Sequence, residues 1–127
     1  MKRLKVEDVL LIHERVIEAT GGTKGVINWE ALESALNRPF ATAEGREVFP
    51  TLWDKVAAFI HAIVAFHPFA DGNKRVALVA ADVWLRMNGY RIPPGEEVEE
   101  VFWRIARGEM DVEQISRWLR EWCRPYP

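Results

Sequence analysis

The sequence predicts an all-α chain: a single-domain, compact bundle of about six helices over residues 1–127, built around one buried central helix. Three observations carry that expectation. Apolar residues recur at helical spacing along most of the chain. Capping residues and Gly or Pro stops punctuate those stretches, and no alternating strand pattern is visible.

The first helix covers about Val6 to Ala19, with apolar positions at Val6, Val9, Leu10, Ile12, Val16 and Ile17. Thr20-Gly21-Gly22 ends it, glycine supplying the left-handed cap. Asn28 caps a second helix, Trp29 to Asn37, which Pro39 stops. Residues Pro39 to Pro50 have no clear period and read as a loop. Thr51 with Asp54 resembles a capping box and opens a third helix, running to about Phe66. Pro68 pushes His67 out of helical geometry, so the third helix ends there.

A turn through Asp71-Gly72 leads into a fourth helix, from near Asn73 to Asn88-Gly89. It is apolar on almost every face, from Val76 through Trp84 to Met87, which places it at the centre of the domain. Asp82 and Arg86 stand four apart within it and are spaced to pair. Pro93-Pro94 separates a fifth helix, about Glu96 to Arg107, closed by Gly108. Asp111 with Gln114 caps a sixth, ending near Cys123, with Val112, Ile115, Trp118, Leu119 and Trp122 at helical spacing.

Composition narrows the function. An apolar fraction of 49% supplies a core without disulfide or metal staples. A net charge of -2 gives no reason to expect direct nucleic-acid binding, although a local cationic pocket could still bind phosphate. The single cysteine, no membrane-length apolar run and no signal-like N-terminus together predict a cytoplasmic protein.

The chemistry concentrates in His67-Pro68-Phe69-Ala70-Asp71-Gly72-Asn73-Lys74-Arg75. A loop ending in Asp71-Gly72-Asn73 points the N-terminus of the fourth helix at whatever precedes it, and helix N-termini attract anions. Lys74 and Arg75 place cations in the first turn, against the helix dipole, which suggests a bound anion that offsets them. Asp71 is a hard oxygen ligand suited to magnesium, and His67 is the residue type that takes a proton near neutral pH. Base, metal ligand and anion cradle within nine residues form a phosphate-transfer constellation.

Other motifs carry less. His13-Glu14 begins like a zinc-protease motif, but Ile17 stands where the second histidine belongs. Gly21-Gly22-Thr23-Lys24-Gly25 lacks the ending and the preceding strand of a P-loop. His61 reads as a packing histidine. The six tryptophans form no base-stacking spacing and are expected mostly in the core.

The nine-residue segment resembles the signature of the Fic/Doc family, His-x-Phe-x-Asp/Glu-Gly/Ala-Asn followed by x-Arg or Lys-Arg. Ile12-His13, the Gly21–Gly25 turn, Leu32–Leu36, Lys55–Ala58 and Arg86–Tyr90 resemble its death-on-curing (Doc) branch, over roughly residues 4 to 92. The resemblance implies His67 as the general base on a target hydroxyl and Asp71 as the holder of Mg2+. Gly72, Asn73, Lys74 and Arg75 would cradle the phosphates of ATP, and Phe69 would anchor the loop.

AMP-transferring members usually carry glycine where Lys74 stands and a second arginine where Leu78 stands. Both departures resemble the Doc branch, which implies phosphoryl transfer from ATP to a threonine of elongation factor Tu, inhibiting translation. Gly72 fits the wider family equally well, so protein adenylylation remains the alternative, with a non-catalytic anion- or partner-binding module as a third. The loop Arg38 to Phe49 resembles in position the family's target-docking flap. The common autoinhibitory signature is missing, since Phe40 stands where a hydroxyl residue should precede Glu44-Gly45. Inhibition would then come from an antitoxin protein in trans, as in a toxin–antitoxin system.

Overall fold

Three side-chain caps fix where helices begin in the computed structural model, which describes residues Met1–Pro127. Asn28 Oδ1 accepts from Ala31 N at 3.0 Å, Thr51 Oγ1 from Asp54 N at 3.1 Å, and Asp111 Oδ1 from Gln114 N at 2.8 Å. Each satisfies a main-chain donor that the helix itself cannot. The helices are α1 Val6–Thr20, α2 Trp29–Asn37, α3 Leu52–Phe66, α4 Asn73–Met87, α5 Glu96–Ala106 and α6 Val112–Trp122. Their buried faces merge into one cluster of 30 residues, so the fold is all-α around a single core. None of these helices is long and apolar enough to cross a membrane.

The central position belongs to α3 rather than α4. Nine residues of α3 are buried, and it packs against α2, α4, α5 and α6. In α4, Val79 is exposed and Leu78, Val83 and Met87 are only half-buried. The apolar girdle of α4 is real, but one flank borders a groove shared with α1 that no other element fills. Asp82 and Arg86 pair as their spacing predicts, at 2.9 Å, and Asp82 also accepts from Ile92 N at 2.8 Å.

The segment after α2 is more ordered than a plain loop. A 3-10 turn, Arg38–Phe40, leads into a hairpin of β1 Thr42–Ala43 and β2 Arg46–Glu47, with Thr42 opposite Glu47. Glu44 and Gly45 connect the strands at φ 54° and 77°, the positive values that a tight primed turn requires. Strands of two residues are too short to show alternation in sequence. Buried Lys55 on α3 pins the hairpin, donating to Glu47 Oε1 at 2.9 Å and to Phe49 O.

A second short pair, β3 Tyr90–Arg91 with β4 Arg124–Pro125, ties the C-terminal segment to the end of α4. Cys123 precedes it, buried, its thiol pushed up to about 12 by desolvation and by the charge of Asp82.

Asp54 joins two helices. It completes the capping box of α3 and accepts from Ser116 Oγ of α6 at 2.7 Å. Burial alone would raise its pKa, but the Ser116 and Thr51 hydrogen bonds and the charge of Arg120 outweigh that and hold it below the usual carboxylate range. A depressed acid contributes stability that is complete above its unfolded pKa of ~3.9 and is lost as pH falls through the folded value. Asp54→Ala should therefore lower stability by about 1–2 kcal/mol at neutral pH in urea unfolding. The gap to wild type should narrow in strong acid.

Candidate active site

α3 closes on His67, whose main-chain N–H donates to Ile63 O at 3.2 Å. The residue takes φ 48° and ψ 62°, the left-handed region. A residue before proline is normally driven to extended backbone, but here the left-handed helix cap prevails. A non-glycine residue held there costs about 1–3 kcal/mol, so its surroundings must enforce it.

The enforcement comes from the segment just before α2. Ile27 N and Asn28 N donate to Pro68 O at 2.8 and 3.1 Å, and Ala70 N donates to Gly25 O at 3.0 Å. Val26 and Phe69 form an isolated antiparallel bridge between these contacts. His67 itself remains exposed while Pro68 and Phe69 beside it are buried.

Phe69 is gripped from two further sides. Its N–H donates to Asn73 Oδ1, and Asn73 Nδ2 donates back to Phe69 O, both at 3.0 Å. The Asn73 side chain, expected to line the phosphate cradle, is thus committed to shaping the loop, and what it can offer an anion is its main-chain N–H. On the other side the ring of His13 stacks on Phe69, with centroids 4.1 Å apart and planes 8° apart. Nε2 of His13 lies 3.1 Å from Asp71 O, and since a carbonyl only accepts, that nitrogen carries the proton.

His13 is a positioning residue that the motif does not reveal. Its signal was present: it occupies the buried helical stripe Val9, His13, Val16 of α1.

Asp71 sits at the turn with its side chain exposed. Its Oδ2 accepts from Thr23 N at 3.3 Å and its Oδ1 from Gly72 N at 3.0 Å. Gly22 makes room for it: a Cβ there would stand 2.7 Å from Asp71 Oδ2, on a backbone at φ +120°. No group of three or more His, Cys, Asp or Glu side chains gathers anywhere in the molecule, so Asp71 belongs to no such cluster.

Gly72, at φ 76°, then starts α4 without any side-chain cap. α4 is the one helix of the six with no acidic residue in its first turn. Lys74 and Arg75 stand there instead. The Lys74 ammonium lies 4.0 Å from the ring centroid of Trp103 on α5, and exposed Arg75 borders the groove between α1 and α4.

This arrangement matches known proteins. The Fic/DOC family model matches residues 3–85. The chain is 35% identical over 101 residues to "Toxin Doc" of Mycolicibacterium smegmatis (strain ATCC 700084 / mc(2)155), covering 77% of this chain and 78% of the relative. The chain belongs to the Fic/DOC family. It is also 28% identical over 120 residues to "Protein kinase doc" of Escherichia phage P1, covering 94% of each. The family-model match ends within α4 and so stops short of Trp103 on α5, whereas the alignment with the phage relative continues through α5.

Asn73→Ala would leave the buried main-chain N–H and C=O of Phe69 unpaired. Its expected loss is about 2–4 kcal/mol of stability, read by urea unfolding. Asn73→Asp keeps the acceptor for Phe69 N alone and should fall between the two.

Proposed function

We propose that the protein is a toxin that transfers the terminal phosphoryl group of ATP to a hydroxyl of a protein target. The family resemblance points to a threonine of elongation factor Tu. The observation that carries this reading is the start of α4: N–H groups without a side-chain cap, two cations and no acid, following a loop whose exposed polar side chains are His67 and Asp71. A chain of phosphates offsets that concentration of positive charge.

In this reading His67 accepts the proton of the target hydroxyl as its oxygen bonds to phosphorus and the nucleoside diphosphate departs. Main-chain N–H groups of Asn73, Lys74 and Arg75, with the side chains of Lys74 and Arg75, hold the phosphates, and Gly72, whose N–H already donates to Asp71 Oδ1, lets them approach the backbone closely. Asp71 would hold magnesium: each of its oxygens takes one N–H and keeps lone pairs free. A single carboxylate suits Mg2+, which retains waters and phosphate oxygens and, when bound, neutralises phosphate charge. The names of the two relatives, a toxin and a protein kinase, support this assignment over adenylylation.

The test is mass spectrometry of elongation factor Tu after incubation with the protein, Mg2+ and ATP. Wild type should add one phosphoryl group, and His67→Ala should slow this by on the order of 10²–10⁴ while folding normally. Addition of AMP instead would establish the adenylylating reading. An unmodified target in the presence of folded wild type would leave a binding module.

A toxin needs a silencing partner, and the groove between α1 and α4 is a place for one. It measures about 400 Å³ and is lined by apolar Leu11, Ile12, Val16, Ala19 and Val79 together with Arg15 and Arg75. An amphipathic antitoxin segment with acidic residues fits that lining and would fold as it docks. Expressed alone, the protein should arrest growth, and co-expression with its cognate antitoxin should restore it. Leu11 is half exposed (52%), so Leu11→Asp should keep toxicity yet escape rescue. Rescue equal to wild type would remove the groove from the interface.

A further inference from the structure

Trp103 lies beyond residues 3–85, the stretch shared with the Fic/DOC family model. Trp53, Trp84, Trp118 and Trp122 are at least half-covered by the fold, but Trp29 on α2 and Trp103 on α5 each stand 53% exposed, and of these two only Trp103 meets a cation. The ring is not idle. Lys74 Nζ sits 4.0 Å from its centroid, a distance at which an ammonium is attracted to the negative face of the indole. Lys74 makes no ion pair with any carboxylate, although α5 opens with Glu96, Glu97 and Glu99.

We infer that Trp103 is a positioning residue for Lys74, holding its ammonium at the N-terminus of α4 for an oxygen of the phosphate chain. The inference rests on the phosphate-transfer reading above. A free lysine side chain samples many rotamers and surrenders them when it binds an anion. Contact with the ring does that ordering beforehand. A carboxylate partner would order the side chain too, but it would cancel the charge and have to be displaced. A ring face is neutral, leaves the full positive charge in place, and leaves the N–H groups on the far side of the ammonium open. Cα–Cβ bonds of a helix also tilt toward its N-terminal end, so the Lys74 side chain sets out in the direction of the turn before α4.

The experiment measures binding of Mg2+-ATP and of Mg2+-tripolyphosphate to the intact chain by titration calorimetry. It compares wild type, Trp103→Ala, Trp103→Phe, Lys74→Met and the Trp103→Ala/Lys74→Met double variant. Trp103→Ala should weaken both probes about two- to five-fold, the range that an exposed ammonium–ring contact supports. Trp103→Phe should restore most of the loss, and Trp103→Ala should change nothing further once Lys74 is methionine. A structural role alone would produce the same loss in both backgrounds. The contact is read independently by NMR, as an upfield ring-current shift of the Lys74 ε-methylene that disappears in Trp103→Ala.

Three results overturn the inference while leaving the phosphate-transfer reading intact: no change in Trp103→Ala, additive losses in the double variant, or a loss for ATP alone. The last would mean that the ring stacks on the nucleobase. Failure of the wild type to bind either probe would overturn both readings together.

Discussion

The ring closed between the Asn73 amide and the main chain of Phe69 is the constraint on which the rest of the site depends. Its two hydrogen bonds are buried, 3.0 Å each, and they join the middle of the loop to the first residue of α4. Loop position and helix direction are therefore set together. Phe69 is also the point where two other pieces of chain converge: α1 through His13 and the segment before α2 through Val26. The left-handed backbone of His67 is sustained by those contacts and by little of its own.

Two concentrations of positive charge in the molecule are handled in opposite ways. Lys55 is buried, and the hairpin supplies everything it needs, a carboxylate, a carbonyl and the ring of Phe40 5.5 Å away. The start of α4 receives a ring, Trp103 against Lys74, but no ion pair with a carboxylate, and the local rule for helix ends stays broken there. The histidine inside α3 and the one that caps its end divide in the same manner. His61 lies 3.2 Å from Arg38, and desolvation followed by that guanidinium holds its imidazole below the ordinary range, so it serves packing. His67, one turn and a half further on, faces solvent.

Sequence legibility followed locality. Helix starts at Asn28, Thr51 and Asp111 were readable because a cap and its partner lie within three residues of each other. The candidate loop stood out because chemically distinct residues crowd nine consecutive positions, and the family it pointed to is the one the chain belongs to. Contacts between distant positions were not. His13 with Asp71 spans 58 residues, and Lys74 with Trp103 joins α4 to α5. The choice between α3 and α4 as the central helix also depended on which flank the neighbours happened to cover, and the apolar pattern of α4 is silent about that. The hairpin was missed for a different reason: its anchor is a lysine, a residue type that pattern reading assigns to the surface.

Cys123 has a practical consequence. Its thiol is both sealed in the core and held almost wholly protonated at neutral pH, since thiolate is the reactive form and its pKa is pushed up to about 12. The native chain is therefore close to inert toward maleimides and other thiol reagents. A cysteine introduced at any exposed position would be labelled against almost no background, so a single fluorophore or spin probe could be placed on the hairpin, on the groove or beside the reactive loop without first removing the native residue.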